Sequence, residues 1–237
     1  MNNSNIIDYE NWWKSYLDVN KFDPGTKISK EIIDDEIKDK KIETVLDLGC
    51  GSGELLREIK EKYPNKKLYG GDISSVALKA LEKNKITEKL YKVNLNKEFK
   101  INQKFDAVIM SEVIEHLSDW KFVFTQLGKI LNKNGIVIVT TQSGKRYFHH
   151  IKVGHLKHFT GNEVKNILEK NGFRIKRVNN IGWPFMNIKN ILASLYMKSY
   201  KGSMSLSDKI TMKLFYYLYK VSSKKYGPQL VVVAEKK

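Results

Sequence analysis

The clearest chemical signal lies between Val45 and Glu54, which read Val-Leu-Asp-Leu-Gly-Cys-Gly-Ser-Gly-Glu. An apolar run enters Asp-x-Gly-x-Gly-x-Gly, and a helix-like stretch begins at once. Glycines at this spacing permit a tight turn and let a ligand approach the backbone closely. Beyond Gly53 by 19 residues, Tyr69-Gly70-Gly71-Asp72 places a carboxylate at the end of the next apolar run. An α/β nucleotide site keeps there the acid that holds both ribose hydroxyls. No Gly-Lys-Ser/Thr follows the turn, so it is not a phosphate-cradling loop. A second block, Ser111-Glu112-Val113-Ile114-Glu115-His116, sets two carboxylates and an imidazole within about one helical turn. His155, in Gly154-His155-Leu156-Lys157-His158-Phe159-Thr160, could complete a mixed oxygen and nitrogen metal site from Glu112, Glu115, His116 and His155. Without a metal, His155 or His116 is the candidate general base, because an imidazole titrates near working pH. His149, His150 and His158 read as surface or structural groups. Cys50 sits where the turn wants a small side chain and reads as structural.

These residues need a scaffold that brings strand ends together. Apolar runs at Thr44–Leu48, Lys67–Gly71, Lys89–Val93, Phe105–Met110, Ile136–Thr141, Phe173–Val178 and Leu230–Ala234 alternate with helix-like segments at Glu54–Lys62, Ser75–Asn84, Asp119–Leu131 and Gly161–Asn171. That alternation predicts stacked βαβ units: a doubly wound, Rossmann-like α/β sheet of seven strands. Ser74 or Ser75 can cap the helix that follows, and Asn84 and Asn134-Gly135 stand where helices should stop. Residues 1–237 read as one domain. Within it, 1–40 form an N-terminal helical region, where aromatic Tyr9–Phe22 could lie over a cleft, and 183–228 form a helical cap.

Taken in order, these motifs resemble the class I S-adenosylmethionine-dependent methyltransferases, from about Thr44 to Val178. The terminal Leu230–Ala234 run fits that family's reversed last strand, so the last strand is expected to be antiparallel. A dehydrogenase is the natural rival, but an acid before the first glycine favours the methyltransferase. The resemblance implies S-adenosylmethionine as cofactor, with Asp47 near its methionine amino group and Gly49 and Gly51 lining it. It further places Asp72 on the ribose, Ile73 against the adenine, Asn94 and Leu95 beside the adenine, and Ser111 and Glu112 beside the methionine part. Asn94 stands where the family often has an acid. Small-RNA 3′-terminal 2′-O-methyltransferases use a comparable Glu/His metal set, and ubiquinone-biosynthesis O-methyltransferases look similar. Many members with the wording EVIEHL are not known to need a metal, so a divalent ion stays open.

Composition narrows the partners. The chain has 237 residues, 42 Lys+Arg against 26 Asp+Glu, and one cysteine. A lone cysteine excludes a disulfide framework and a cysteine-based zinc site. The opening MNNSNIIDYE lacks a signal-peptide pattern, and no uncharged apolar stretch reaches spanning length, which points to a cytoplasmic protein. A net charge of +16 invites polyanions. Only Arg57, Arg146, Arg174 and Arg177 are arginines, however, and base readout favours arginine, which argues against nucleic acid. From Trp183 onward ten lysines face Asp208 and Glu235, so this basic segment offers a peripheral membrane contact. The few lysines of Leu206–Val221, with Tyr216, Tyr217 and Tyr219 free to pack inward, favour a substrate cap instead. The expected function is O-methylation of a small hydroxyl acceptor. The wording resembles methyltransferases of bacterial surface-polysaccharide pathways, so a sugar or glycan precursor leads. Quinone or lipid-linked acceptors and metal-dependent RNA 2′-O-methylation are the alternatives, and non-enzymatic binding to RNA or a partner comes last.

Overall fold

The computed structural model describes residues 23–196 and 205–237, and the aromatic stretch Tyr9–Phe22 lies outside them. In chain order the elements are α1 (Pro24–Ile37), β1 (Thr44–Leu48), α2 (Glu54–Lys62), β2 (Lys67–Asp72), α3 (Ser75–Glu82) and β3 (Lys89–Lys92). They continue with β4 (Phe105–Ser111), a 3-10 turn (Ile114–His116), α4 (Trp120–Ile130), β5 (Leu131–Gln142), α5 (Phe148–Lys152) and α6 (Gly161–Lys170). The chain closes with β6 (Phe173–Ile181), α7 (Phe185–Tyr196), α8 (Leu206–Lys220) and β7 (Gln229–Lys236).

Seven strands form one sheet in the order β3-β2-β1-β4-β5-β7-β6. The first five pair in parallel, while β7 runs antiparallel to both β5 and β6. This is the doubly wound sheet with a reversed last strand that the sequence predicts. The inner strands β1, β4, β5 and β7 read as largely apolar runs because both faces are covered, while the edge strands β3 and β6 stay partly exposed. Successive side chains point to opposite faces. Val45, Ala107, Ile109, Ile138 and Val233 enter one core layer, and Leu46, Val108, Met110, Val139 and Val232 enter the other.

Helix starts follow the expected chemistry. Ser74 caps α3, its hydroxyl accepting from the Ala77 N–H at 3.1 Å. Gly53 opens α2 at φ +79°, where a Cβ would lie 2.3 Å from Leu81 Cδ1, so a glycine lets α2 and α3 meet. The stop expected at Asn134-Gly135 needs correction. Helix α4 ends at Ile130, and Leu131 already pairs with Phe105. Asn134 (φ 61°) and Gly135 instead form an irregularity where the β4–β5 register shifts between Phe105 and Ala107. The turn chemistry was real, but it bends a strand rather than ending a helix.

Residues 183–228 hold α7 and α8. Ile28 of α1, Met186 of α7, and Phe215 and Tyr219 of α8 make a separate apolar cluster that binds the three helices together. Of the three tyrosines free to pack inward, Tyr219 is buried, Tyr216 is partly covered, and Tyr217 is 56% exposed. No described helix is long and apolar enough to cross a membrane.

Candidate functional site

The carboxyl ends of β1, β2 and β4 converge on a cavity of about 330 Å³, the place where open α/β sheets bind ligands. Asp47, Gly49, Asp72, Ile73, Asn94, Leu95, Ser111, Glu112, His116 and His155 all reach its wall. Gly51, expected there too, does not line the cavity. Its N–H points instead to Asp72 Oδ2 at 2.8 Å.

The glycine turn is built from its own backbone. The Gly49 N–H donates to the Gly71 carbonyl at 2.6 Å. At Gly49 φ is +82°, and a Cβ would stand 2.4 Å from Val113 Cγ2, so any side chain would collide with the second motif. Asp72, the last residue of β2, ties the turn to that strand through the Gly51 N–H, and its Oδ1 also accepts from the Ser74 N–H at 2.8 Å. Beside it Asp47 is only 4% exposed. Burial, and then the Asp72 carboxylate, push the Asp47 carboxyl up to about 7.

Glu112 follows β4 in a left-handed conformation, φ 55°, which costs a non-glycine residue on the order of 1 kcal/mol. Its surroundings hold it there. The carboxylate accepts from Thr140 Oγ1 at 3.0 Å, Gln142 Nε2 at 2.9 Å and Gln229 Nε2 at 2.7 Å. Glu115 is fully buried, and Thr141 Oγ1 donates to its Oε2 at 2.7 Å. Its Oε1 has no hydrogen-bond partner among the described residues. Burial, followed by the Glu112 charge, holds the Glu115 carboxyl well above the usual range.

Glu115, His116 and His155 bring one ligand atom each within 4.8 Å of one another, a set that could hold a divalent cation. Glu112, the fourth expected ligand, is not part of that group; its carboxylate is held by Thr140, Gln142 and Gln229. Of His149, His150 and His158, read as surface or structural groups, the first two are buried rather than at the surface. All five histidines of the chain join in one cluster of ring contacts. Centroids lie 4.9 Å apart for His116–His155, 5.2 Å for His150–His155, 4.5 Å for His150–His158 and 3.8 Å for His149–His150. His149 and His150 are buried and line the cavity. His155 Nδ1 meets His158 Nε2 at 3.1 Å, and His116 Nδ1 meets the Gly154 carbonyl at 3.2 Å.

Burial is the largest cause of a lowered imidazole pKa throughout the cluster: to about 4 at His116 and His149, to about 2 at His150, and well below normal at His155. The rings are therefore neutral at working pH, able to accept a proton or to ligate.

Sequence reasoning missed four contributors. Gln142 and Gln229 are polar ends of apolar strands, a signal available in the sequence. Asp23 and Lys189 line the cavity as an ion pair at 2.7 Å. They are separated by 166 residues, so no local pattern joins them.

Residues 23–178 match a family of methyltransferase domains. A ubiquinone biosynthesis O-methyltransferase from Pelagibacter ubique (strain HTCC1062) is 32% identical over 146 residues, covering 56% of this chain and 60% of that protein. Ribosomal RNA small subunit methyltransferase C from Haemophilus influenzae (strain PittEE) is 30% identical over 129 residues, 46% of this chain and 37% of its own. The chain thus matches less than two thirds of either relative's length. A solved S-adenosylmethionine-dependent methyltransferase from Clostridium acetobutylicum ATCC 824 shares the fold with a TM-score of 0.63 at 13% identity, covering 96% of this chain and 98% of that one. Coclaurine N-methyltransferase, bound to N-methylheliamine and S-adenosylhomocysteine, does so with a TM-score of 0.60 at 14% identity, covering 89% and 72%.

Proposed function

The chain belongs to the class I S-adenosylmethionine-dependent methyltransferases, and from that premise we propose that it methylates a hydroxyl of a small acceptor. When bound, S-adenosylmethionine supplies an activated methyl group on a sulfonium. The chain's own part is alignment and a destination for the acceptor's proton. Asp72 takes the ribose, Ile73, Asn94 and Leu95 flank the adenine, and Asp47 takes the methionine ammonium beside Ser111 and Glu112. His155, with His116 beside it, receives the proton. The observation that carries this reading is one cavity lined both by two adjacent buried acids and by neutral imidazoles. Residues 183–228 act as a cap, Lys189 with Asp23 forming part of the wall.

A sugar or glycan precursor is the preferred acceptor, and the polar groups of Asn96, Gln142 and Lys189 in the wall support it. The relative named for ubiquinone biosynthesis keeps quinones as the alternative, and the one named for ribosomal RNA keeps RNA. A second route for the proton has its own support. The buried Oε1 of Glu115, without a hydrogen bond among the described residues, lies beside His116 and His155 and suits a divalent ion that would lower the acceptor's pKa.

The test is methyl transfer from labelled cofactor to sugars, nucleotide sugars, catechols and short RNAs, with and without chelator. Transfer to a sugar or nucleotide sugar is expected. Transfer only to amines would defeat the hydroxyl reading. Activity lost on chelation and in Glu115→Gln alike would favour a metal that acidifies the acceptor hydroxyl over a simple imidazole base.

Asp47 makes cofactor affinity depend on pH. An acid whose pKa is raised is neutral below that value, and here the value is about 7. The ammonium needs the ionised form. Calorimetry with S-adenosylhomocysteine should show affinity falling about tenfold from roughly pH 8 to pH 6, one pKa unit below the midpoint being worth about a factor of ten. Asp47→Asn should flatten that profile. A wild-type affinity independent of pH would remove Asp47 from the role.

A further inference from the structure

Two adjoining helices of the C-terminal region turn apolar rows away from the protein. On α7, Ile188, Ile191, Leu192 and Leu195 recur at helical spacing and are 44% to 60% exposed. On α8, Leu206, Ile210 and Leu214, continued by Val221 at its C-terminal cap, do the same at 58% to 76% exposed. The two helices pack against each other through the other side, where Met186, Phe215 and Tyr219 are buried. A soluble surface helix turns its apolar stripe to the core. These two have a stripe left over, and exposed apolar patches of this extent mark interaction sites.

The charges around the rows say what fits them. Helix α7 has no acidic residue, and α8 has only Asp208, which is folded back onto the Ser205 N–H at 2.8 Å in the helix cap. Lys213 on α8 and Lys224 and Lys225 just beyond it are exposed. Trp183, at the entry to α7, and Tyr226, after α8, are 57% and 69% exposed, and the Trp183 N–H donates to the Tyr226 carbonyl at 3.0 Å. Apolar rows, lysines and amphipathic aromatics together are the composition of an interfacial helix. A second copy of the chain would set lysine against lysine. Anionic lipid headgroups instead accept the lysines, and the acyl boundary accepts the rows.

We propose that α7 and α8 dock the protein on the surface of an anionic lipid bilayer. The inner side of α7 carries Lys189, and α5 packed beside it carries His149 and His150, all three on the cavity wall. Docking therefore sets the cleft next to the bilayer surface, within reach of an amphiphile's polar head. The surface assignment holds whatever the acceptor proves to be, because it rests on the outward faces alone.

The experiment is co-sedimentation of the full chain with phosphatidylcholine vesicles, with and without about 30 mol% phosphatidylglycerol, at roughly 0.05 to 0.3 M salt. The expected result is pelleting with the anionic vesicles only, falling as salt rises. The double variant Leu192→Ser/Leu214→Ser should reduce the bound fraction about tenfold, since it removes two apolar anchors. Its affinity for S-adenosylhomocysteine should be unchanged, which shows that the variant is folded. Protein left in the supernatant at low salt, equal pelleting with both vesicles, or a double variant that pellets like the wild type would each overturn the proposal. So would a dimer in sedimentation velocity that the same two substitutions dissociate, because the face would then be a subunit interface.

Discussion

Replacing His155 by alanine should lower turnover at least a hundredfold, the typical worth of a positioned base, and leave S-adenosylhomocysteine affinity nearly intact. The imidazole lies on the cavity wall, and its Nδ1 is engaged with His158 Nε2 at 3.1 Å, which leaves Nε2 for the acceptor. Burial, and then the neighbouring His116, His150 and His158, keep this ring unprotonated well below its normal range. That makes it a weak base, yet a sufficient one. An alcohol oxygen becomes strongly acidic as the methyl group arrives, so the proton can leave late in the same step. The lowered pKa also fixes a pH signature. Because the working form of the base is the unprotonated one, wild-type kcat should run level from roughly pH 8 through 6.5 and decline only on the acid side of that range. An inflexion at the ordinary histidine value would mean that the essential ring is solvated, contrary to the cluster seen here. Full turnover in both His155→Ala and His116→Ala would remove the imidazoles from the reaction and leave water as the proton's destination.

The parts of the site that sequence reading could reach are those decided by local backbone chemistry. Gly49 and Gly53 advertise a turn because no other residue fits a left-handed φ against Val113 and Leu81, and Asp72 follows at the end of the next strand. The histidine cluster was hidden for the opposite reason. His150 meets His155 because the chain turns after α5, the His155 N–H donating to the His150 carbonyl at 2.9 Å, and nothing in their spacing says whether a ring faces water or a neighbour. Gln229 reaches Glu112 across 117 residues, through the reversed strand β7. The apolar spacing of α8 was legible too, but periodicity reports that a helix has an apolar row and not what the row meets. Tyr217 was expected to be free to pack inward, and it faces outward, as does Leu214.

Asp72→Ala should weaken S-adenosylhomocysteine binding by one to two orders of magnitude, roughly 1.4–2.8 kcal/mol for a bidentate charged hydrogen bond. The carboxylate does two jobs, and they can be separated. Its oxygens accept the Gly51 and Ser74 N–H groups at 2.8 Å each, so alanine loosens the glycine turn as well as the ribose contact. Asp72→Asn keeps a carbonyl for one of those donors but turns an amide donor toward the other, and a loss of similar size is expected. The neighbour supplies an independent readout. Part of what holds Asp47 at about 7 is the Asp72 charge, and that part vanishes in both variants. The sign follows from repulsion: with one carboxylate neutralised, the other ionises more readily and its pKa falls. The residual binding should therefore lose its pH dependence at lower pH than the wild type does, even as it weakens. Unchanged affinity in a folded Asp72 variant would place the ribose elsewhere. Weakened affinity with an unshifted pH midpoint would keep Asp72 as a ribose ligand and show that burial alone raises Asp47.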